Sequence, residues 1–144
     1  KGFSMPQRWA EDVVERLRAV TTREVRVRLH PGNWQVIPPD PPLAHDLAGA
    51  WAVCIWSSSA GLHALLAGIP VFREAPHWIA ADATDRDIRT IEAPTFPERL
   101  PAFERLAWAQ WAISEIQNGE PFKQLRDHLC EALDLLPDTE SPVL

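Results

Sequence analysis

The stretch at residues 52–72 constrains the fold more than any other part of the chain. It opens with an apolar run of good β-formers, which is typical of a buried strand, and three serines follow at 57–59. Small and apolar helix formers occupy 60–67, and Gly68 stands where a left-handed residue would end a helix. A second apolar strand follows at once, at 69–72. Two strands joined by a helix predict a right-handed βαβ unit with a parallel sheet.

The three serines lie where such a sheet binds ligands, beyond the carboxyl end of a strand. Ser57, Ser58 and Ser59 place hydroxyls beside backbone N–H groups and the positive end of the helix dipole, a setting that favours an anion such as phosphate. Serine is also an ordinary helix cap. The turn therefore predicts either an anion site or simple capping.

A further strand is predicted at 24–30, where apolar and polar residues alternate with period two. His30 opens a loop at the carboxyl end of this strand, and Arg28 precedes it by two positions. If this strand runs parallel to the others, both loops open into one crevice. His30 equally suits a turn residue that is bonded to the backbone.

The rest of the chain reads as helices and loops. Helical spacing of apolar residues predicts helices at 6–20, 43–49, 102–118 and 121–135, with a short edge strand at 88–91. We expect one α/β domain over residues 1–136, a Rossmann-like three-layer αβα domain with a short sheet of three or four parallel strands. A disordered tail is expected at 137–144.

Charge and cysteine usage restrict the function. A formal net charge of −6 over 144 residues argues against non-specific binding to nucleic acid or anionic membrane. The two cysteines do not suggest a disulfide framework and favour a reducing, cytoplasmic setting. No apolar run has the length of a membrane span. The five histidines are dispersed, so no metal site is predicted.

Two motifs together resemble a known family. Arg-Leu-His-Pro-Gly at 28–32 and Ser-Ser-x-x-Gly-Leu-x-Ala-Leu-Leu-x-Gly-Ile-Pro-Val at 57–71 resemble the nucleotide-sugar-binding, C-terminal half of GT-B glycosyltransferases. The likeness is greatest to capsular-polysaccharide-type enzymes, to bacterial sialyl- or Kdo-transferase relatives and to similar phage proteins. It covers roughly residues 8–75.

The resemblance implies roles for particular residues. His30, Ser57, Ser58 and Ser59 would hold the donor phosphate, and Gly61 would allow close approach of the backbone. Further candidates for donor contacts are Arg28, His63 and His77. Many relatives carry glutamate at the position of His63, which leaves the nucleotide open. The nucleotide-sugar is a substrate, and no metal or other cofactor is required.

The resemblance also implies that this chain is half of a catalyst. GT-B enzymes close two halves around donor and acceptor, and the catalytic base usually comes from the other half. We therefore expect an upstream strand and an N-terminal acceptor-binding half to be missing, and no catalysis by this chain alone. A homo-oligomer is a further expected assembly. Two alternatives stay open: a non-catalytic protein-interaction domain with exposed tryptophans, and a phage glycosyltransferase that modifies DNA bases.

Overall fold

The computed structural model describes residues 4–28 and 41–134. In this part of the chain the helices are α1 (Trp9–Arg18), α2 (Leu43–Leu47), α3 (Ala60–Leu66), α4 (Leu100–Ala109), α5 (Ile113–Gln117) and α6 (Glu120–Asp134), and the strands are β1 (Val53–Ile55) and β2 (Val71–Arg73). Short 3-10 turns lie at Ala81–Ala83 and Ile88–Thr90. The chain divides into two compact units between Leu106 and Ala107.

The predicted strand–helix–strand unit is confirmed. β1 and β2 pair in parallel, with Val53 opposite Val71 and Ile55 opposite Arg73, and α3 connects them. Gly68 follows α3 with φ of 82°, a left-handed conformation that an L side chain rarely adopts. The chain can therefore leave α3 and enter β2 within a few residues.

The sheet is smaller than predicted in the part of the chain that the structure describes. It has two strands, and Asp85 adds a single parallel bridge to Phe72. The pairing stops there because the next residues turn away: Asp87 accepts a hydrogen bond from the Arg89 N–H at 3.1 Å and starts a 3-10 turn. The predicted edge strand at 88–91 is therefore wrong.

The strand predicted at 24–30 does not form over its described part, residues 24–28. Only one of its apolar positions there is covered, since Val25 packs against the core while Val27 is 53% exposed. Side chains hold the segment instead. The guanidinium groups of Arg26 and Arg28 both bind Asp46 of α2, Arg26 at 2.8 Å. Residues 29 and 30 lie outside the described part.

Two apolar clusters cover the two faces of the sheet. Val71 packs with α3 residues in one cluster, and Phe72, the next residue, packs with α1 residues in the other. This alternation follows from the period-two geometry of a strand. The α3 cluster contains Ile55, Ala64, Leu65, Ile69, Val71, Ala80, Ala83 and Ala102, and the α1 cluster contains Val13, Leu17, Phe72, Ile88 and Ile91.

The helix predicted at 102–118 is divided in two. Ala112 has extended backbone, with φ of −67° and ψ of 152°, and its N–H donates to the Glu115 carboxylate at 2.6 Å. In a capping box, the side chain three residues into a helix accepts a hydrogen bond from the backbone N–H of the N-cap residue, as Glu115 does from Ala112. α5 therefore begins as a new helix. None of the residues from 107 to 133 is buried.

No helix within the described ranges is both long enough and apolar enough to cross a membrane.

Candidate functional site

The two strands of the sheet end side by side, and the loops that follow them are in contact. The Glu74 N–H donates to the carbonyl of Ile55 at 3.1 Å, and the Ala75 N–H donates to the carbonyl of Trp56 at 3.2 Å. The serine turn follows Trp56 directly. The structure thus places the serine turn and the loop after β2 at one edge of the sheet, the carboxyl edge.

Within the turn, the three serines differ in their surroundings. Ser58 is half-buried: its Oγ accepts the Ala60 N–H at 3.2 Å, and its carbonyl accepts the Gly61 N–H at 3.2 Å. Ser58 therefore shapes the turn that leads into α3, and Ser59 is the N-cap residue of this helix, without a side-chain capping bond. Ser57 and Ser59 are exposed. The Ser58 hydroxyl is engaged by the Ala60 N–H, and the hydroxyls of Ser57 and Ser59 are accessible to a ligand.

Gly61 has a clear packing role. A Cβ atom at this position would lie 2.6 Å from Ile55 Cδ1 and 2.9 Å from Trp78 Cη2, which is closer than carbon atoms can approach. The glycine therefore lets the first turn of α3 pack against β1 and the Trp78 ring. Because Trp78 belongs to the loop after β2, this contact also ties that loop to the serine turn. His77, the residue before it, is exposed at the same edge.

A buried arginine, Arg73, is hydrogen-bonded to the backbone of the loop that carries His77. Arg73, 8% exposed, donates from Nη1 to the carbonyl of Ala75 at 2.5 Å and from Nε to the carbonyl of Ala81 at 3.4 Å. Burial, with repulsion from Arg86, lowers the pKa of Arg73. Backbone carbonyls satisfy the guanidinium, so Arg73 fixes the shape of the loop.

A polar and aromatic cluster lies beside this edge and connects it to α1. Glu74 accepts a hydrogen bond from Trp9 Nε1 at 2.6 Å and forms an ion pair with Arg16 at 2.5 Å. Trp9 also packs edge to face on Trp56, with ring centres 6.2 Å apart. Burial acts to raise the pKa of Glu74, but the bonds from Arg16 and Trp9 outweigh it and the pKa is lowered.

The sequence analysis did not predict this cluster, although the positions of two of its residues in the sequence could have indicated it. Trp56 and Glu74 each directly follow a strand of the sheet, which is the position that the prediction used for the serines. Cys54 of β1 faces the same α1 side, and burial raises the pKa of its thiol to about 11. A thiol in this state is a packing group rather than a nucleophile.

Three predicted site residues are not at the carboxyl edge or are not described. Arg28 binds Asp46 and the Pro41 carbonyl, the latter at 2.9 Å, next to α2. His63 is exposed on α3 and lines a groove of about 780 Å³ with residues of α2 and residues that precede β1 and β2, at the amino ends of the strands. His30 lies outside the described residues, so its meeting with the serines stays a prediction.

In the described ranges, 4–28 and 41–134, there is no group of three or more His, Cys, Asp and Glu side chains that could hold a metal ion. No protein-family model, no curated protein and no solved structure matches the chain.

Proposed function

We propose that the chain is the donor-binding half of a glycosyltransferase, and that the serine turn holds the phosphate of a nucleotide-sugar. The observation that supports this most is the exposure of Ser57 and Ser59 at the carboxyl end of a parallel strand. Ligands of open parallel sheets bind at such an edge. The motif around 57–71, which resembles the family, falls on this same turn.

The physical basis of binding would be hydroxyl donation. α3 has only seven residues, so we assign the main role to the hydroxyls rather than to its dipole. A hydrogen bond to a charged phosphate oxygen contributes about 1.5–3 kcal/mol. Ser57 and Ser59 would donate to the phosphate, and His77 would contact the donor from the neighbouring loop. These bonds strengthen as the leaving phosphate gains charge, which lowers the barrier to transfer.

We also propose further parts of the enzyme beyond the two-stranded sheet. We take the domain to be Rossmann-like, with three or four parallel strands, and His30 to lie at the same edge as the serine turn. A second half of the enzyme would bind the acceptor and supply the catalytic base. The proposed setting is the cytoplasm, and no metal is required.

Titration of the full chain with CMP-, UDP- and GDP-sugars by calorimetry tests the proposal. We expect saturable binding of at least one donor and a loss of about 10-fold or more in affinity in the Ser57→Ala/Ser59→Ala double variant. Ser114→Ala, an exposed serine of α5, is the matched control and should leave affinity unchanged. Circular dichroism checks that each variant is folded.

Two results would overturn this function. One is the absence of saturable binding for every donor in the panel. The other is equal affinity in the wild type and in the double serine variant, since the turn would then be no more than the start of α3.

A further inference from the structure

A third segment of the chain ends at the carboxyl edge, beside β2, and an arginine follows it. Asp85 forms a parallel bridge with β2, and its carbonyl accepts the Arg73 N–H at 2.9 Å. Arg86 comes directly after this segment, just as Glu74 comes after β2 and Trp56 after β1. Residues that follow parallel strands lie at the ligand edge of a sheet. Arg86 is exposed and is therefore accessible at this edge.

No acid in the part of the chain that the structure describes forms an ion pair with Arg86. Asp85, the residue before it, uses its carboxylate to accept the backbone N–H groups of Arg86 and Asp87, at 2.6 and 3.1 Å. Asp87 is paired with Arg89 at 2.7 Å. Glu74 is already bonded to two side chains of α1. The guanidinium of Arg86 is therefore available to an anionic ligand.

The positive charge of Arg86 acts on the end of β2. Burial lowers the pKa of Arg73, and repulsion from Arg86 lowers it further. Burial acts to raise the pKa of Glu74, and Arg86 is among the groups that lower it. Charges shift the pKa values of groups that lie close to them. Arg86 therefore contributes positive charge beside the loop that carries His77.

β2 lies between the serine turn and Arg86. Neighbouring strands are about 4.8 Å apart, so the backbone at the serine turn and the backbone at Arg86 are about 10 Å apart. The guanidinium stands at the end of a long side chain and can extend over much of this distance. If Ser57 and Ser59 hold one phosphate, the guanidinium can reach the group next to that phosphate.

We propose that Arg86 binds a second anionic group of the donor, adjacent to the phosphate at the serine turn; this role rests on the proposed donor-binding function. A guanidinium binds phosphate and carboxylate oxygens through paired N–H donors. The second group is therefore either the second phosphate of a nucleoside diphosphate sugar or the carboxylate of an acidic sugar on a nucleoside monophosphate. A monophosphate donor with a neutral sugar would leave Arg86 without a partner.

Calorimetric titration of the full chain with matched pairs of ligands tests this role. The pairs are UMP and UDP, GMP and GDP, and CMP and CMP-N-acetylneuraminate, and the second member of each carries the additional anionic group. In the wild type we expect the second member of at least one pair to bind about 10- to 30-fold more tightly than the first. Arg86→Gln should remove most of this gain and leave the affinity for the first member unchanged. The pair that responds identifies the second group as phosphate or carboxylate.

Two further variants separate contact from general charge and from folding. Arg89→Gln is the matched control, since Arg89 is an arginine three residues away whose side chain is 80% exposed and paired with Asp87. It should bind both members of every pair like the wild type. Arg86→Lys keeps the charge but not the paired donors, so it should retain part of the gain. Circular dichroism checks that each variant is folded.

Four results would overturn the role of Arg86. They are equal binding of both members of every pair, an unchanged gain in Arg86→Gln, an equal loss for both members in Arg86→Gln, and the same loss in Arg89→Gln. The proposed function survives each of these if Ser57→Ala/Ser59→Ala still weakens binding of the first members. If no ligand of the panel binds, or if the double serine variant binds like the wild type, the proposed function fails and the role of Arg86 fails with it.

Discussion

α1 and α6 are both amphipathic helices, yet they end in opposite environments. α1 buries Val13 and Leu17, which are 5% and 6% exposed and pack around Phe72 of the sheet. α6 leaves Leu125 and Leu129 about half exposed. Apolar periodicity therefore specifies that a helix has a face to bury, but it does not specify what covers that face. The sheet covers the face of α1, whereas the apolar face of α6 is exposed.

The largest expected difference in stability is between substitutions of two phenylalanines, one in the cluster that α1 covers and one on α6. Phe72 is 0% exposed and Phe122 is 72% exposed. We expect Phe72→Ala to lower the free energy of unfolding by about 3–5 kcal/mol, because it removes a large side chain and leaves a cavity in the core. Phe122→Ala should change it by less than about 0.5 kcal/mol.

Urea denaturation measures the free energy of unfolding of both variants. A comparable loss of stability in Phe122→Ala would show that α6 belongs to the folded core. A loss below about 1 kcal/mol in Phe72→Ala would contradict the packing of the sheet on α1.

A smaller effect is expected at Gly61, where α3 packs on β1. Gly61→Ala should destabilise the chain by about 1–3 kcal/mol, because its methyl group would overlap Ile55 Cδ1 and the Trp78 ring. Ile55→Val removes the Cδ1 atom, so the Ile55→Val/Gly61→Ala double variant should recover part of the loss. Additive effects in this double-mutant cycle would mean that the close contact is not the cause.

The smallest effect concerns the carboxylate that links α1 to the carboxyl edge. The pKa of Glu74 lies below its ordinary value of 4.5, so its bonds stabilise the fold above about pH 4.5 and are lost as pH falls through the lowered pKa. At pH 7 we expect Glu74→Gln to cost about 1 kcal/mol. The stabilities of the two forms should converge as pH falls below the lowered pKa of Glu74.

Thermal unfolding of wild type and Glu74→Gln across pH 3–7 measures this convergence. Glu131→Gln, on an exposed helix position, is the control and should follow the wild type throughout. A constant gap between wild type and Glu74→Gln at all pH values would contradict an ionised, paired Glu74.

Local features of the fold could be predicted from the sequence, and non-local ones could not. The β1–α3–β2 unit and the left-handed Gly68 were predicted correctly because apolar runs and a glycine stop act within a few residues. The strand at 24–30 was not, since alternation alone does not supply a neighbouring strand to pair with. The break at Ala112 depends on its bond to Glu115, which helical periodicity does not reveal.

The candidate site shows the same division. Its position followed from the rule that polar residues after a parallel strand face a ligand edge. The sequence did not reveal that the Ser58 hydroxyl would accept the Ala60 N–H while Ser57 and Ser59 stay exposed, because this depends on the exact start of the helix. Nor did it reveal that Gly61 is required by Trp78, since that contact joins two distant segments.

Nuclear magnetic resonance of the ¹⁵N-labelled chain tests the donor-binding site most directly. On addition of UDP, GDP or CMP, we predict that at least one nucleotide shifts the amide signals of residues 57–61 and of His77, while those of residues 107–134 stay in place. If millimolar concentrations of all three nucleotides leave the signals of 57–61 unmoved, the serine turn is not a phosphate site.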